Sequence, residues 1–170
     1  MSKSQTLSLT TAIAITDISE RTWWRRIAQG TIQRESTVAG KHTRLQLSDV
    51  LPNISIPVNS RDIEFILLAD TGNADAQNDV GQMFSIAGKA ESAIYWFQQA
   101  ANQGNPDAMQ WLGQCHARGE GVSLDENLSV MWLAKAAALG HIIANSQMDA
   151  ILKRSRISAN APSITTLPNL

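Results

Sequence analysis

The sequence predicts a mainly α protein in two parts: a small N-terminal head of two short helices and a β-hairpin, then a short α-solenoid of about two and a half helix-pair repeats. Three observations lead there. Residues 93–150 repeat themselves at a period of 36. Residues 7–51 run through two helix signals separated by a tight break, then an alternating segment. Between the two parts lies "LPNISIPVNS", whose prolines, asparagines and serines cannot continue a helix. The expected boundaries are a head over 1–51, a linker over 52–60, the solenoid over 61–154 and a disordered tail over 155–170.

In the head, Ser8 is placed to cap a first helix that turns Ala12, Ile15 and Ile18 to one side. Its local support is thin, because Thr10, Thr11, Ile13, Ile15 and Thr16 are β-branched and Leu9, Thr11, Ile13 and Ile15 also fit a strand. "DIS" breaks the chain, Ser19 caps a second helix and Gly30 ends it. At about 100° per residue, Trp23 and Ile27 face the first helix, Arg21 and Arg25 point away, and Trp24 and Arg26 lie on the flanks. An extended stretch near Ile32, a turn near Ala39 and Gly40, and alternation over His42–Leu47 predict a hairpin.

The solenoid rests on self-alignment. Trp96 falls on Trp132, Ala100 on Ala136, Ala101 on Ala137, Gly104 on Gly140 and Ala108 on Ala144. An earlier copy matches at an offset of 32, with Gly72 under Gly104, Ala76 under Ala108 and Gly81 under Gly113. Gly72, Gly104 and Gly140 sit where helices should end, and Asp125 where the next should be capped. In this register Trp111 shares its position with Asp79 and Gln147, both polar, which predicts a solvent-facing or groove-facing row. A Trp in such a groove would be a partner-binding hot spot worth roughly 2 kcal/mol or more, unless it packs on the linker or head. Cys115 aligns with Met83 and His116 with Phe84, so both read as packing residues.

The motif formed by Ala108, Leu112, Gly113, Gly119, Gly121, Val122, Asp125, Trp132, Lys135, Ala136, Ala137 and Gly140 resembles the SEL-one-like repeat, a relative of the tetratricopeptide repeat. The resemblance spans about 61–152, and it implies binding of a protein partner or self-association. The head, through Ser19, Arg21, Thr22, Arg25, Ile27 and Gly30, resembles the winged helix-turn-helix of the MerR and excisionase type over about 7–51. Two positions depart from that pattern. Thr11 replaces a usual Glu, and Asp17 a usual Gly in a turn that favours left-handed backbone.

That second resemblance implies a sequence-specific transcriptional regulator whose second helix enters the major groove of double-stranded DNA. Arg21 and Arg25 are then the base-contact candidates. Ser19, Thr22, Trp24 and Arg26 flank them on the same helix, while Arg34, Lys41, His42 and Arg44 reach for phosphates. Charge is distributed accordingly, with seven Lys/Arg against four Asp/Glu in residues 1–50 and seven against eleven in the remainder. Two other readings stand beside this one: a protein–protein adaptor or scaffold that does not bind DNA, and an excisionase-type recombination accessory factor.

Other classes find no support in the sequence. One cysteine permits no internal disulfide and no cysteine-based zinc site, which agrees with a reducing compartment. The apolar runs are far shorter than the roughly 20 residues of a membrane helix, so a cytoplasmic protein is expected. Three scattered histidines and no Gly-rich phosphate loop supply no nucleophile with a base and no metal cluster. No enzyme, no cofactor and no small-molecule substrate is predicted.

Overall fold

The computed structural model describes residues 5–36 and 43–159. It is a mainly helical protein with a small N-terminal β-hairpin and helix region and a C-terminal array of paired helices resembling a short solenoid. The N-terminal region begins with β1 (Thr6–Ser8), α1 (Leu9–Ile15) and α2 (Glu20–Ala28). It continues through β2 (Arg34–Ser36), β3 (Thr43–Gln46) and the single-turn α3 (Leu47–Val50). The three strands form an antiparallel sheet in the order β1-β3-β2, with Leu7 opposite Leu45 in the first pair and Glu35 opposite Arg44 in the second.

Both helix starts lie at the serines read from the sequence. The Ser8 hydroxyl accepts the Thr11 N–H at 3.1 Å, and Ser19 accepts that of Thr22 at 3.4 Å. Asp17 does not adopt the left-handed turn expected of it, since the described residues with positive φ are all glycines. Instead its carboxylate takes the Lys89 ammonium at 2.6 Å, which draws the break between α1 and α2 toward the helical array. Trp23, fully buried, fills the space between α1, α2 and the sheet together with Leu7, Ala12, Ile15, Leu45 and Val50.

The helical array consists of α4 (Ser60–Asp70), α5 (Ala74–Ile86), α6 (Ala90–Asn102), α7 (Pro106–Arg118), α8 (Glu126–Ala138) and α9 (Ile142–Ala159). These are six helices, one more than two and a half pairs require, because residues 60–70 form a complete helix ahead of the first recognisable repeat. Gly72, Gly104 and Gly140 carry φ of 93°, 89° and 85° just beyond the ends of α4, α6 and α8, a conformation that costs a side-chain-bearing residue roughly 1–2 kcal/mol. The residue after each caps the next helix: Asn73 and Asn105 with a carboxamide oxygen, His141 with Nδ1.

Two glycines set the spacing between helices. A Cβ on Gly81 would lie 2.6 Å from the Phe97 ring, and one on Gly113 would lie 2.7 Å from Leu133. Phe97 and Leu133 are themselves one period apart, so the same glycine-to-side-chain contact closes both α5 on α6 and α7 on α8.

The stretch expected as a linker is packed. A short 3₁₀ turn (Leu51–Asn53) leads to an isolated bridge between Thr16 and Ile54, and the Ser55 N–H donates to the Ile15 carbonyl at 3.0 Å. Ile56 is buried, so the Pro-rich run lies back against α1, and its prolines serve to exclude helix rather than to free the chain. One core of buried residues runs through both parts. α9 continues to Ala159, past the boundary expected at 154, while residues 160–170 lie outside the described residues.

Candidate functional site

Two surfaces carry the residues singled out by the sequence. The first is the outer face of α2. Arg21 and Arg25 project into solvent, and their side chains form no hydrogen bond or ion pair among the described residues. Ser19 and Thr22 are occupied with each other, their hydroxyl oxygens 3.1 Å apart. Trp24 remains 40% exposed at the rim, where its indole N–H donates to Glu20 Oε1 at 3.2 Å. Arg34 is exposed on β2.

Arg26 and Arg44 are turned inward. Arg26 donates through Nη1 to Asn53 Oδ1 at 3.1 Å, and its guanidinium lies 5.5 Å from the centroid of the Trp23 ring, so it binds α2 to the packed segment behind it. Arg44, expected at a phosphate, instead donates through Nη2 to Asp70 Oδ2 at 2.8 Å and to the Thr6 carbonyl at 2.7 Å. Lys41 and His42 lie outside the described residues. A shallow groove of about 520 Å³, bordered by Arg25, Arg26, Gln29, Thr31 and Asp49, runs beside the C-terminal end of α2.

Asp70, the last residue of α4, is the residue that sequence reasoning missed. Its side chain is 1% exposed and accepts the Ser8 backbone N–H at 3.0 Å as well as the Arg44 guanidinium. Burial alone would push its carboxyl up; hydrogen bonds from Ser8 and Thr11 and the Arg44 charge outweigh that and hold it below the ordinary carboxylate value. No local pattern announces it, since its partners are 62 and 26 residues away in the chain.

The second surface belongs to the helical array. Asp79 on α5, Trp111 on α7 and Gln147 on α9 are all half-buried. The Trp111 ring stacks on Phe97, with 5.8 Å between centroids and 8° between planes, so part of the indole is covered by the molecule itself. Gln147 accepts from Gln110 Nε2 at 3.3 Å. Burial raises the Asp79 carboxyl, and the charges of Asp75 and Asp107 add to the rise. Cys115 is buried, and burial pushes its thiol up to about 11. His116 is half-buried. No group of three or more His, Cys, Asp or Glu suited to a metal ion occurs among the described residues, and none of their helices is long and apolar enough to cross a membrane.

An array of paired helices with a repeated glycine contact is the architecture of a helical-repeat interaction module. Residues 74–105 and 106–141 match the Sel1 repeat, so the C-terminal part of the chain is a Sel1/TPR-like repeat region. Among solved structures, the chain is similar to c5321, a protective antigen present in uropathogenic Escherichia coli strains that displays an SLR fold. That match has a TM-score of 0.52 and 26% identity over 55% of this chain and 21% of that one. A Sel1 repeat protein from Oxalobacter formigenes aligns at 35% identity with a TM-score of 0.48, over 52% of this chain and 27% of that one. The chain thus spans about a fifth to a quarter of the length of these proteins.

Proposed function

We propose that this protein is a protein–protein adaptor that holds its partner on the row formed by Asp79, Trp111 and Gln147. The observation that carries this reading is the register of the three positions. One repeat position recurs on α5, α7 and α9 with side chains that are polar or amphipathic and only half covered, where a residue serving the core alone would be apolar and closed. Trp111 is the anchor, rigidly held by its stack on Phe97, and an aromatic side chain pre-positioned in this way loses little entropy when it binds. The test is affinity capture of partners on the immobilised full chain, comparing wild type with Gln147→Ala and Asp79→Ala. The adaptor reading expects a common set of captured proteins that weakens in both variants while their thermal melts match wild type.

A second reading adds duplex DNA as a partner of the head. The specific observation in its favour is that α1 and α2, joined by a tight break and followed by the β2–β3 pair, leave Arg21 and Arg25 exposed on one helix face with no side-chain partner among the described residues. In this winged helix-turn-helix reading Arg21 and Arg25 contact bases, and Arg34 and the Ser19 end of α2 contact phosphates, with Trp24 and Thr22 at the margin. Lys41 and His42, outside the described residues, are assigned to phosphates in that reading by their place in the sequence alone. Arg44 and Arg26 do not belong to this set, because their guanidiniums are occupied. Fluorescence anisotropy of labelled duplexes at increasing salt tests it. Binding that weakens steeply with salt and is lost in Arg25→Ala supports a regulator or an excisionase-type factor, whereas no binding at low salt leaves the adaptor alone.

A further inference from the structure

The cap of α9 differs chemically from the caps of its repeat equivalents. Asn105 Oδ1 accepts the Ala108 N–H at 2.8 Å while Asn105 Nδ2 donates to Asp75 Oδ1 at 2.9 Å. One period later, His141 Nδ1 accepts the Ala144 N–H at 3.1 Å, and Nε2 lies 2.9 Å from Asp107 Oδ1. The imidazole therefore stands in for a carboxamide, one atom accepting and the other donating. A carboxamide fills both roles at any ordinary pH. An imidazole fills both only when neutral, because its protonated form has two donors and no acceptor.

We propose that His141 is a proton-operated cap: neutral, it holds both the first turn of α9 and Asp107; protonated, it keeps Asp107 and releases the Ala144 amide. The side chain is 12% exposed, so the freed N–H has little solvent to turn to. From α7 comes Asp107, in direct contact with Nε2 and itself 59% exposed. Behind it on α5 stands Asp79, whose carboxyl feels the charges of both Asp107 and Asp75. From α8, the Lys135 ammonium lies over the Trp132 ring at 4.4 Å, and the first turn of α9 contributes no acid. The released turn is the one that sets Ala144, fully buried, against the array and leads into Gln147. Acidification then loosens the last helix of the repeat surface; that consequence for partner binding rests on the adaptor reading, while the cap itself does not.

The test uses the free full-length chain. Amide protection at Ala144 and Asn145, corrected for intrinsic exchange, is measured by NMR at pH 8 and pH 5 in wild type, His141→Asn and Asp107→Asn. Protection in wild type should fall about fivefold at the lower pH, the factor expected for loss of one helix cap. His141→Asn, which installs the residue used at position 105, should show no such fall; Asp107→Asn should retain it. Equal protection at both pH values in wild type, or the same fall in His141→Asn, would overturn the proposal. The ¹⁵N shifts of the wild-type imidazole provide a second measurement that needs no variant: at pH 8 the proton should reside on Nε2, and an Nδ1–H tautomer would also overturn it. Because no partner is present, a flat pH response refutes the cap and leaves the adaptor standing, whereas failed partner capture refutes the adaptor and leaves the cap.

Discussion

Arg44 in the N-terminal sheet and Asp70 at the end of α4 form a 2.8 Å ion pair that joins the two parts of the chain, with Asp70 almost wholly buried. The same carboxylate also accepts the Ser8 N–H, so β1, β3 and α4 meet on one side chain. Removing that carboxylate strands a cation and a backbone donor together. Asp70→Ala is expected to destabilise the fold by about 3 kcal/mol, measured by urea or thermal denaturation. A cost near zero would show that solvent replaces the carboxylate.

The pH dependence of this joint has a defined sign. Asp70 is held below its unfolded value in the folded protein, so its stabilisation is complete above the unfolded carboxylate range and is lost as pH falls through the folded value. Wild type should therefore lose stability below about pH 4, more steeply than Asp70→Asn, which has no such proton to take up. Denaturation midpoints collected from pH 6 downward check this.

Gly81 and Gly113 are expected to resist even the smallest enlargement. Their missing Cβ atoms leave room for Phe97 and Leu133 on the facing helices. Alanine at either position should cost roughly 1–3 kcal/mol by overpacking, despite its better helix propensity. A gain in melting temperature would contradict the close approach.

Cys115 should be a poor nucleophile in the folded state. Its thiol is buried and raised to about 11, so the thiolate is scarce at neutral pH. Reaction with a disulfide reagent should be slow in native buffer and fast in denaturant; a rapid native reaction would place the thiol at the surface.

Much of this could be read from the residues, and the rest could not for physical reasons. The helix ends at Gly72, Gly104 and Gly140 and the caps at Ser8, Ser19 and Asp125 were legible because each depends on one residue and its immediate neighbours. The three-residue strand β1 was not, because nothing in "TLS" separates it from a helix approach until β3 lies beside it. The roles of Arg44 and Arg26 escaped for the same reason: an arginine reads as free until its carboxylate or carboxamide partner, 26 or 27 residues away, is known. The repeat register aligns Trp111 with Asp79 and Gln147, but its stack on Phe97 depends on how closely α6 and α7 approach.

The adaptor reading is tested most directly by site-specific photo-crosslinking in native cells. A photoreactive residue is placed at Gln147 in the row and, as a control, at Ala134 on the exposed side of α8. The account predicts one dominant protein adduct from position 147 that disappears in Trp111→Ala and is absent from position 134. Equal adducts from both positions, or a 147 adduct indifferent to Trp111, would contradict it.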